Sequence, residues 1–418
     1  MTTEQIAEQV SANFEVRSRV SAVRIDGAAA ALASVRELAA DFSSGAAARD
    51  RDRILPHAQV ARLAASGLLA ASVPAEYGGA GLPPSVVAEL IRILAAADPN
   101  IAQIPHSHFV YLNLVRLAGS EAQRRHYFGV VLDGARIANA QSERGGATVA
   151  EISTTLRPAE DGFRVDGAKF YCTGSLFADV LAVLTRLDDP EGRSGLAAGE
   201  YIAFLPVDAP GVRIEDDWNG IGQRTTGSGT VRLDNVVVRR DQVIERAPAV
   251  AAPTAYGAFA QLLHAAIDAG IARGALTAAI EFVRTKTRPW FEADVARAID
   301  DPLLVQRFGE LSVAVTAAEA ALAAAGAAVD AADQEASLVA RASLAVAAAR
   351  VLGDRAALEV PAALFELGGT RSAAADLNLD HFWRNARTHT LHDPVRWKYQ
   401  HLGRALLHDT APPWHGVV

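Results

Sequence analysis

Apolar positions along the chain fall into three successive regimes. Up to about Arg136 they recur at helical spacing in an Ala- and Leu-rich stretch. Leu63, Leu68 and Leu69 follow Pro56, a residue suited to a first helical turn. A further helix is expected over residues 85–97, ending before Asp98-Pro99. Between them, the turn-rich run Pro74-Ala75-Glu76-Tyr77-Gly78-Gly79-Ala80-Gly81-Leu82 interrupts the helices. From about Ile137 to Ile244 short β-prone pieces replace the helical pattern: Phe163-Arg164-Val165, Lys169-Phe170-Tyr171, residues 180–184, residues 201–205 and Val236-Val237-Val238. Asp161-Gly162 and Asp166-Gly167 are read as turns between such pieces. From about Arg246 helical spacing returns, with Phe308, Leu311, Val315, Ala318 and Leu322 on one face. Long helices over 256–285, 302–332 and 337–367, and a shorter one around Trp383, suggest an antiparallel bundle. The pattern predicts an α+β chain, mainly α. Its three parts are an N-terminal helical domain (1–136), a middle antiparallel β domain (137–245) and a C-terminal helical bundle with a tail (246–418).

Composition narrows the class. The 418 residues suffice for a large core, and 50% apolar with 21% charged residues fits a soluble globular chain. A formal net charge of −8 without a long basic block speaks against a nucleic-acid partner. The single Cys172 rules out an intrachain disulfide framework and fits a reducing, cytoplasmic setting. Residues 1–15 carry neither a basic start nor a long apolar stretch, so no signal peptide is expected. The Ala-rich residues 313–329 come nearest to a membrane span; Glu319 interrupts them, and a tightly packed soluble helix is expected there. His106 and His108 flank Ser107 near an expected helix end, a spacing that is not a metal signature and suits either a pocket wall or the core.

Six motifs in order between Pro74 and Pro394 resemble those of the acyl-CoA dehydrogenase superfamily of flavoenzymes. They are the 74–82 run, Ser142-Glu143-Arg144-Gly145-Gly146-Ala147, Gly167-Ala168-Lys169-Phe170-Tyr171-Cys172-Thr173, residues 220–226, Leu233-Asp234-Asn235-Val236-Val237-Val238 and Leu367-Gly368-Gly369. The resemblance implies the acyl-CoA dehydrogenase fold, ending in a four-helix bundle, and a homotetramer. It places Asn139, Ser142, Tyr171 and Thr173 at the flavin ring edge, where polar groups and an aromatic wall are required. It implies that Arg288 and Phe291 reach a neighbouring subunit's flavin phosphates, against the alternative of a solvated helix-end arginine. Gly368 and Gly369 would admit close backbone approach to the cofactor, or simply cap a helix.

The C-terminal run points away from dehydrogenation. Arg384-Asn385-Ala386-Arg387 stands where the family has an Arg-Asp-Ala segment, and nine residues after Arg384, where the commonest family base is a Glu, lies Asp393. Aspartate is one methylene shorter, Pro394 replaces a glycine, and a misplacement of about 1 Å can cost on the order of a hundredfold. Phe365, Val395 and Trp397 occupy positions that contact the adenylate half of FAD in the family, so reduced FMN is expected, with FAD as the alternative. The run Arg387-Thr388-His389-Thr390-Leu391-His392-Asp393-Pro394-Val395-Arg396-Trp397-Lys398-Tyr399 is similar to the signature of two-component sulfur monooxygenases on this fold. So are residues 218–230, in which Trp218 and Ser228 would lie close to FMN. The resemblance implies oxygenation of an organosulfur compound, in sulfur acquisition, through a flavin C4a-hydroperoxide, with reduced flavin delivered by a separate reductase. Such chemistry needs a proton donor. Histidine suits it, so His392 is the first candidate and His389 the second, against packing of both at a subunit interface. An acyl-CoA dehydrogenase using Asp393 as base, and an idle member serving as a binding protein, are the competing readings.

Overall fold

The computed structural model describes residues 21–148 and 150–415; the segment in which no signal peptide is expected lies outside them. Among the described residues, six helices come first: α1 Gly27–Ser43, α2 Ala46–Asp52, α3 His57–Ala65, α4 Pro84–Ala97, α5 Pro99–Ala118 and α6 Glu121–Leu132. Pro56 is the N-cap of α3 rather than its first turn. Leu68 and Leu69 belong to a separate 3₁₀ turn, entered through Gly67 at φ 77°. Asp98 ends α4 and caps α5, accepting from the Asn100 amide at 3.0 Å. Its other carboxylate oxygen holds the buried Arg49 at 2.9 Å. His106 and His108 sit in the middle of α5 and not near a helix end, because the apolar face continues through Leu114 and Val115.

Strands β1 Ile137–Ala140, β2 Thr155–Ala159, β3 Gly162–Cys172, β4 Val180–Leu187, β5 Glu200–Pro206, β6 Val212–Glu215, β7 Gly229–Val238 and β8 Val243–Glu245 form one sheet. Its order is β6-β7-β3-β2-β4-β5-β8, with β1 also on β4. Five pairings are antiparallel, as expected, but β1 and β2 both run parallel to β4, so the sheet is mixed. Asp161-Gly162 does turn β2 into β3. Asp166-Gly167 does not turn the chain; it is a register shift inside β3, where Gly167 is at φ 155°. A Cβ there would stand 2.3 Å from Thr154 Oγ1, so the close approach of the Thr154 side chain and not a hairpin explains this glycine. A second shift, between Lys169 and Cys172, leaves Tyr171 at φ 58°, a left-handed conformation rare for an aromatic residue.

After the short α7 (Ala247–Val250) come the long helices α8 Tyr256–Thr285, α9 Pro302–Gln334 and α10 Val339–Gly368, then α11 His381–His389 and α12 Arg396–His408. α8 is buried along most of its length and crosses α4 closely. A Cβ at Gly270 would lie 2.5 Å from Ala95 Cβ, and one at Gly274 would lie 2.4 Å from the Ala96 carbonyl. α9 is packed on one side only. Leu311, Val315, Ala318, Leu322, Ala325 and Val329 are buried, while Leu303 and Val313 are 75% and 70% exposed. The Ala-rich stretch, expected to pack tightly as a soluble helix, packs along one face and leaves another apolar face uncovered.

Candidate active site

The second β3 register shift builds one wall of the site. It turns the Tyr171 ring outward against Trp218, perpendicular at 6.0 Å between centroids. Trp218 is held by its Nε1–H, which donates to the Gln223 carbonyl at 2.7 Å. Just beyond β3, Thr173 Oγ1 lies 2.8 Å from Ser228 Oγ, which in turn lies 2.6 Å from Thr226 Oγ1. The Gly174 amide donates to the Thr226 carbonyl at 2.9 Å, tying the two segments together. Ser142 is exposed and bridges Phe170 through its own carbonyl at 2.8 Å. Asn139 sits on β1, and its side-chain oxygen is buried without a hydrogen-bond partner. The structure thus brings Asn139, Ser142, Tyr171, Thr173, Trp218 and Ser228 onto adjoining segments.

Several polar groups around this wall are unspent. Besides Asn139 Oδ1, both side-chain atoms of Gln223, Thr225 Oγ1, Gln103 Oε1 and Asn385 Nδ2 are buried and unpaired. Buried polar atoms are costly to leave unsatisfied, so several in one region indicate a place where a polar ligand completes them. Neighbouring backbone bonds hold this loop: the Gln223 amide donates to Asn385 Oδ1 at 2.6 Å and the Thr225 amide to Asn100 Oδ1 at 3.1 Å. Gly222 admits the contact, because a Cβ there would fall 1.9 Å from the Arg384 carbonyl on α11. Flat aromatic walls beside unpaired donors and acceptors fit an isoalloxazine ring.

Arg288, Phe291, Gly368 and Gly369 form a separate group. Gly368 packs at Phe282 near the far end of α8, and Phe291 is 78% exposed. Phe282 stands 18 residues beyond His264 on α8, roughly 27 Å along the axis. These residues do not join the flavin-edge group within one chain.

The second wall is a cluster of histidines. His264 on α8 contacts His106 of α5 at 3.9 Å and His392 at 4.0 Å between ring centroids. His264 Nδ1 lies 3.0 Å from His389 Nε2, and His389 Nδ1 donates to Asp268 Oδ1 at 2.6 Å. Asp268 also accepts from Arg350, whose second nitrogen reaches Asp393 at 3.2 Å. Asp393 receives Lys398 at 2.7 Å and His392 Nδ1 at 3.3 Å. The His392 side chain is 41% exposed, whereas His389 is buried. α11 joins the two walls: Asn385 serves Gln223 and, one turn later, His389 serves Asp268. His108 stays outside, bracing Leu69 and Ile137 through its two ring nitrogens.

Electrostatics divides these groups. Burial pushes the His106 imidazole down to about 3 and drives His264 well below its usual value, so both are neutral at pH 7. Burial alone would raise the Asp393 carboxyl, but the hydrogen bond from His392 and the charges of Arg350 and Lys398 outweigh it and hold it far below the carboxylate range. The carboxylate at the dehydrogenase base position is thus a buried, locked anion, which cannot reach out to take a substrate proton. Behind Tyr171, Lys169 is buried against Glu143 at 2.6 Å. Burial raises Glu143, yet hydrogen bonds from Lys169, Ser153 and Thr154 bring it down to about 2.

The sequence reading missed His264, Asp268, Arg350 and Lys398. A signal existed for the first two: they are the polar residues, four apart, in the otherwise apolar stretch 262–272 of α8.

Comparison with known proteins agrees with this fold. The acyl-CoA dehydrogenase N-terminal, middle and C-terminal domain models match residues 27–135, 138–236 and 262–397. The chain is 33% identical over 400 residues to a dibenzothiophene monooxygenase of Rhodococcus qingshengii, covering 91% of this chain and 94% of that one. It is 32% identical over 390 residues to a probable FMNH2-dependent monooxygenase, SfnC, of Pseudomonas putida, covering 91% and 96%. The crystal structure of TdsC from Paenibacillus sp. A11-2 with FMN and indole superposes with a TM-score of 0.87 at 30% identity, covering 93% of this chain and 99% of that one.

Proposed function

Because this chain belongs to the acyl-CoA dehydrogenase family, in its flavin-dependent monooxygenase branch, we propose that it oxygenates an organosulfur compound using reduced FMN and oxygen. One observation carries the reading. At the position of a dehydrogenase base stands a carboxylate locked by Arg350 and Lys398, while the adjacent imidazole of His392 is half exposed.

Bound reduced flavin supplies the electrons that activate oxygen. Tyr171 and Trp218 would flank the ring, and Asn139, Gln223 and Thr225 would meet its polar edge with groups that are otherwise unpaired. Thr173 and Ser228, already bonded to each other, present hydroxyls on the same side. As one oxygen atom passes to sulfur and the other leaves as water, His392 would give a proton to the leaving oxygen. Its Nδ1–H is directed at Asp393, which leaves Nε2 as the nitrogen that exchanges the proton. The apolar and neutral lining, including His106 and His264, keeps bulk water from diverting reduced oxygen to hydrogen peroxide.

The enzyme acts in the cytoplasm as a homotetramer and receives reduced FMN from a separate reductase. The uncovered face of α9 supports the subunit contact, and the exposed Arg288 and Phe291, distant from the flavin wall of their own chain, serve a neighbour's flavin phosphate. The test combines purified protein with an FMN reductase, NADH and oxygen, and offers a thioether, a sulfone and a panel of acyl-CoAs. Oxygenated sulfur product is expected. Acyl-CoA-dependent bleaching of bound FAD, or no flavin binding, would overturn the assignment.

A further inference from the structure

Hydrogen-bond direction in the histidine cluster can be worked out from Asp268 outward. The side chains of Asp268 and His389 are fully buried, and their contact is 2.6 Å. A carboxylate only accepts, so His389 Nδ1 carries a hydrogen. The next contact, His389 Nε2 to His264 Nδ1 at 3.0 Å, holds one hydrogen between two ring nitrogens. If His389 is neutral, its hydrogen is committed to Asp268 and His264 Nδ1 is the donor. If His389 is doubly protonated, that bond reverses.

Charge decides between the two. Among the described residues of this buried set, Arg350 and Lys398 face Asp268 and Asp393. Asp354 and Arg387, which also face it, add one charge of each sign. A cationic His389 would place an unmatched charge in the interior, which is expensive. His389 is therefore neutral, His264 donates from Nδ1, and His264 Nε2 is left as an acceptor. On the other side, His106 Nε2 meets the Ala260 carbonyl at 3.0 Å; a carbonyl only accepts, so the hydrogen of His106 is committed there. Burial keeps both rings unprotonated.

We propose that Asp268 is a positioning residue which, through His389, fixes His264 as an acceptor at Nε2, so that of the clustered rings of His106, His264 and His392 only His392 has a hydrogen not committed to a protein acceptor. Its catalytic consequence rests on the oxygenase reading; the tautomers do not. A donor at His264 Nε2 would compete with His392 and deliver protons out of turn, releasing hydrogen peroxide.

Histidine-selective ¹⁵N labelling and solid-state NMR of the flavin-free protein test this directly, with signals assigned by their loss in His264→Gln and His389→Gln. Both rings are expected to be protonated at Nδ1 and bare at Nε2. A proton on His264 Nε2, or a doubly protonated His389, would overturn the proposal. In Asp268→Asn, the Arg350 guanidinium retains the amide oxygen, so the amide nitrogen faces His389 and both tautomers invert. Product per NADH consumed then falls on the order of tenfold or more, with little change in KM for the thioether. Asp268→Glu remains acceptor-only and keeps the wild-type tautomers. Wild-type tautomers in the Asn variant would remove Asp268 from this role. Should that variant fail to fold, the wild-type and Glu spectra still decide. The expected tautomers in a protein without oxygenase activity would sustain the relay and refute the functional reading alone.

Discussion

A histidine buried among other histidines stays neutral, and that neutrality is a stability term. The unfolded chain binds a proton at His106 below about 6.5, whereas the folded site refuses it until about 3. The unfolded state therefore gains protons as pH falls through this window, and stability is lost. Asp354, raised by burial to about 6, works in the opposite sense between 3.8 and about 6. His106→Gln, which keeps a donor for the Ala260 carbonyl, is predicted to flatten the pH dependence of unfolding free energy by up to about 1.4 kcal/mol per pH unit between pH 6 and 4. Denaturant titrations across that range measure it; parallel curves for variant and wild type would count against a neutral His106. Lys169→Met removes the partner of buried Glu143 and is predicted to cost about 3–5 kcal/mol, read from the shift of the urea midpoint. His392→Ala, with its ring half exposed, is expected to keep FMN affinity while hydrogen peroxide replaces product. At this scale, His392, Tyr171 and Trp218 could be proposed from the sequence because they stand in distinctive runs. Arg350 could not, because a polar residue on a core helix acquires its meaning from partners more than 80 positions away.

Helices and strands carry a different kind of information. The spacing of apolar residues located α8, α9 and α10 to within a few residues, since each presents a stripe to the same core. The same pattern does not distinguish a turn from a bulge: Asp166-Gly167 reads as a hairpin, yet β3 runs straight through it. Nor does it reveal that β1 and β2 run parallel to β4, because pairing partners are set by the tertiary path. The close crossing of α4 and α8 depends on glycine at the contact. Gly274→Ala would press a methyl group onto the Ala96 backbone and is predicted to cost about 1–3 kcal/mol, lowering Tm in a thermal melt. An unchanged Tm would mean that the two helices separate freely.

For the whole molecule, the site lies where three parts meet: α5, the sheet with its 218–228 loop, and the bundle helices α8, α10 and α11. Motif order made the family legible, but the meeting of the parts was not, because no local pattern encodes the distance between Asp268 and His389. The proposed homotetramer would cover the exposed apolar face of α9. The double substitution Leu303→Glu and Val313→Glu should yield a smaller species in sedimentation velocity, and an unchanged mass would remove that face from the contact. The central claim, that this fold has exchanged an acyl-CoA dehydrogenase base for an oxygenase proton donor, is tested most directly with isotopically labelled oxygen. Reduced FMN, labelled oxygen and a thioether are predicted to give a sulfur product carrying one labelled oxygen atom for each turnover. Unlabelled product, or flavin reduction by an acyl-CoA in the absence of oxygen, would contradict it.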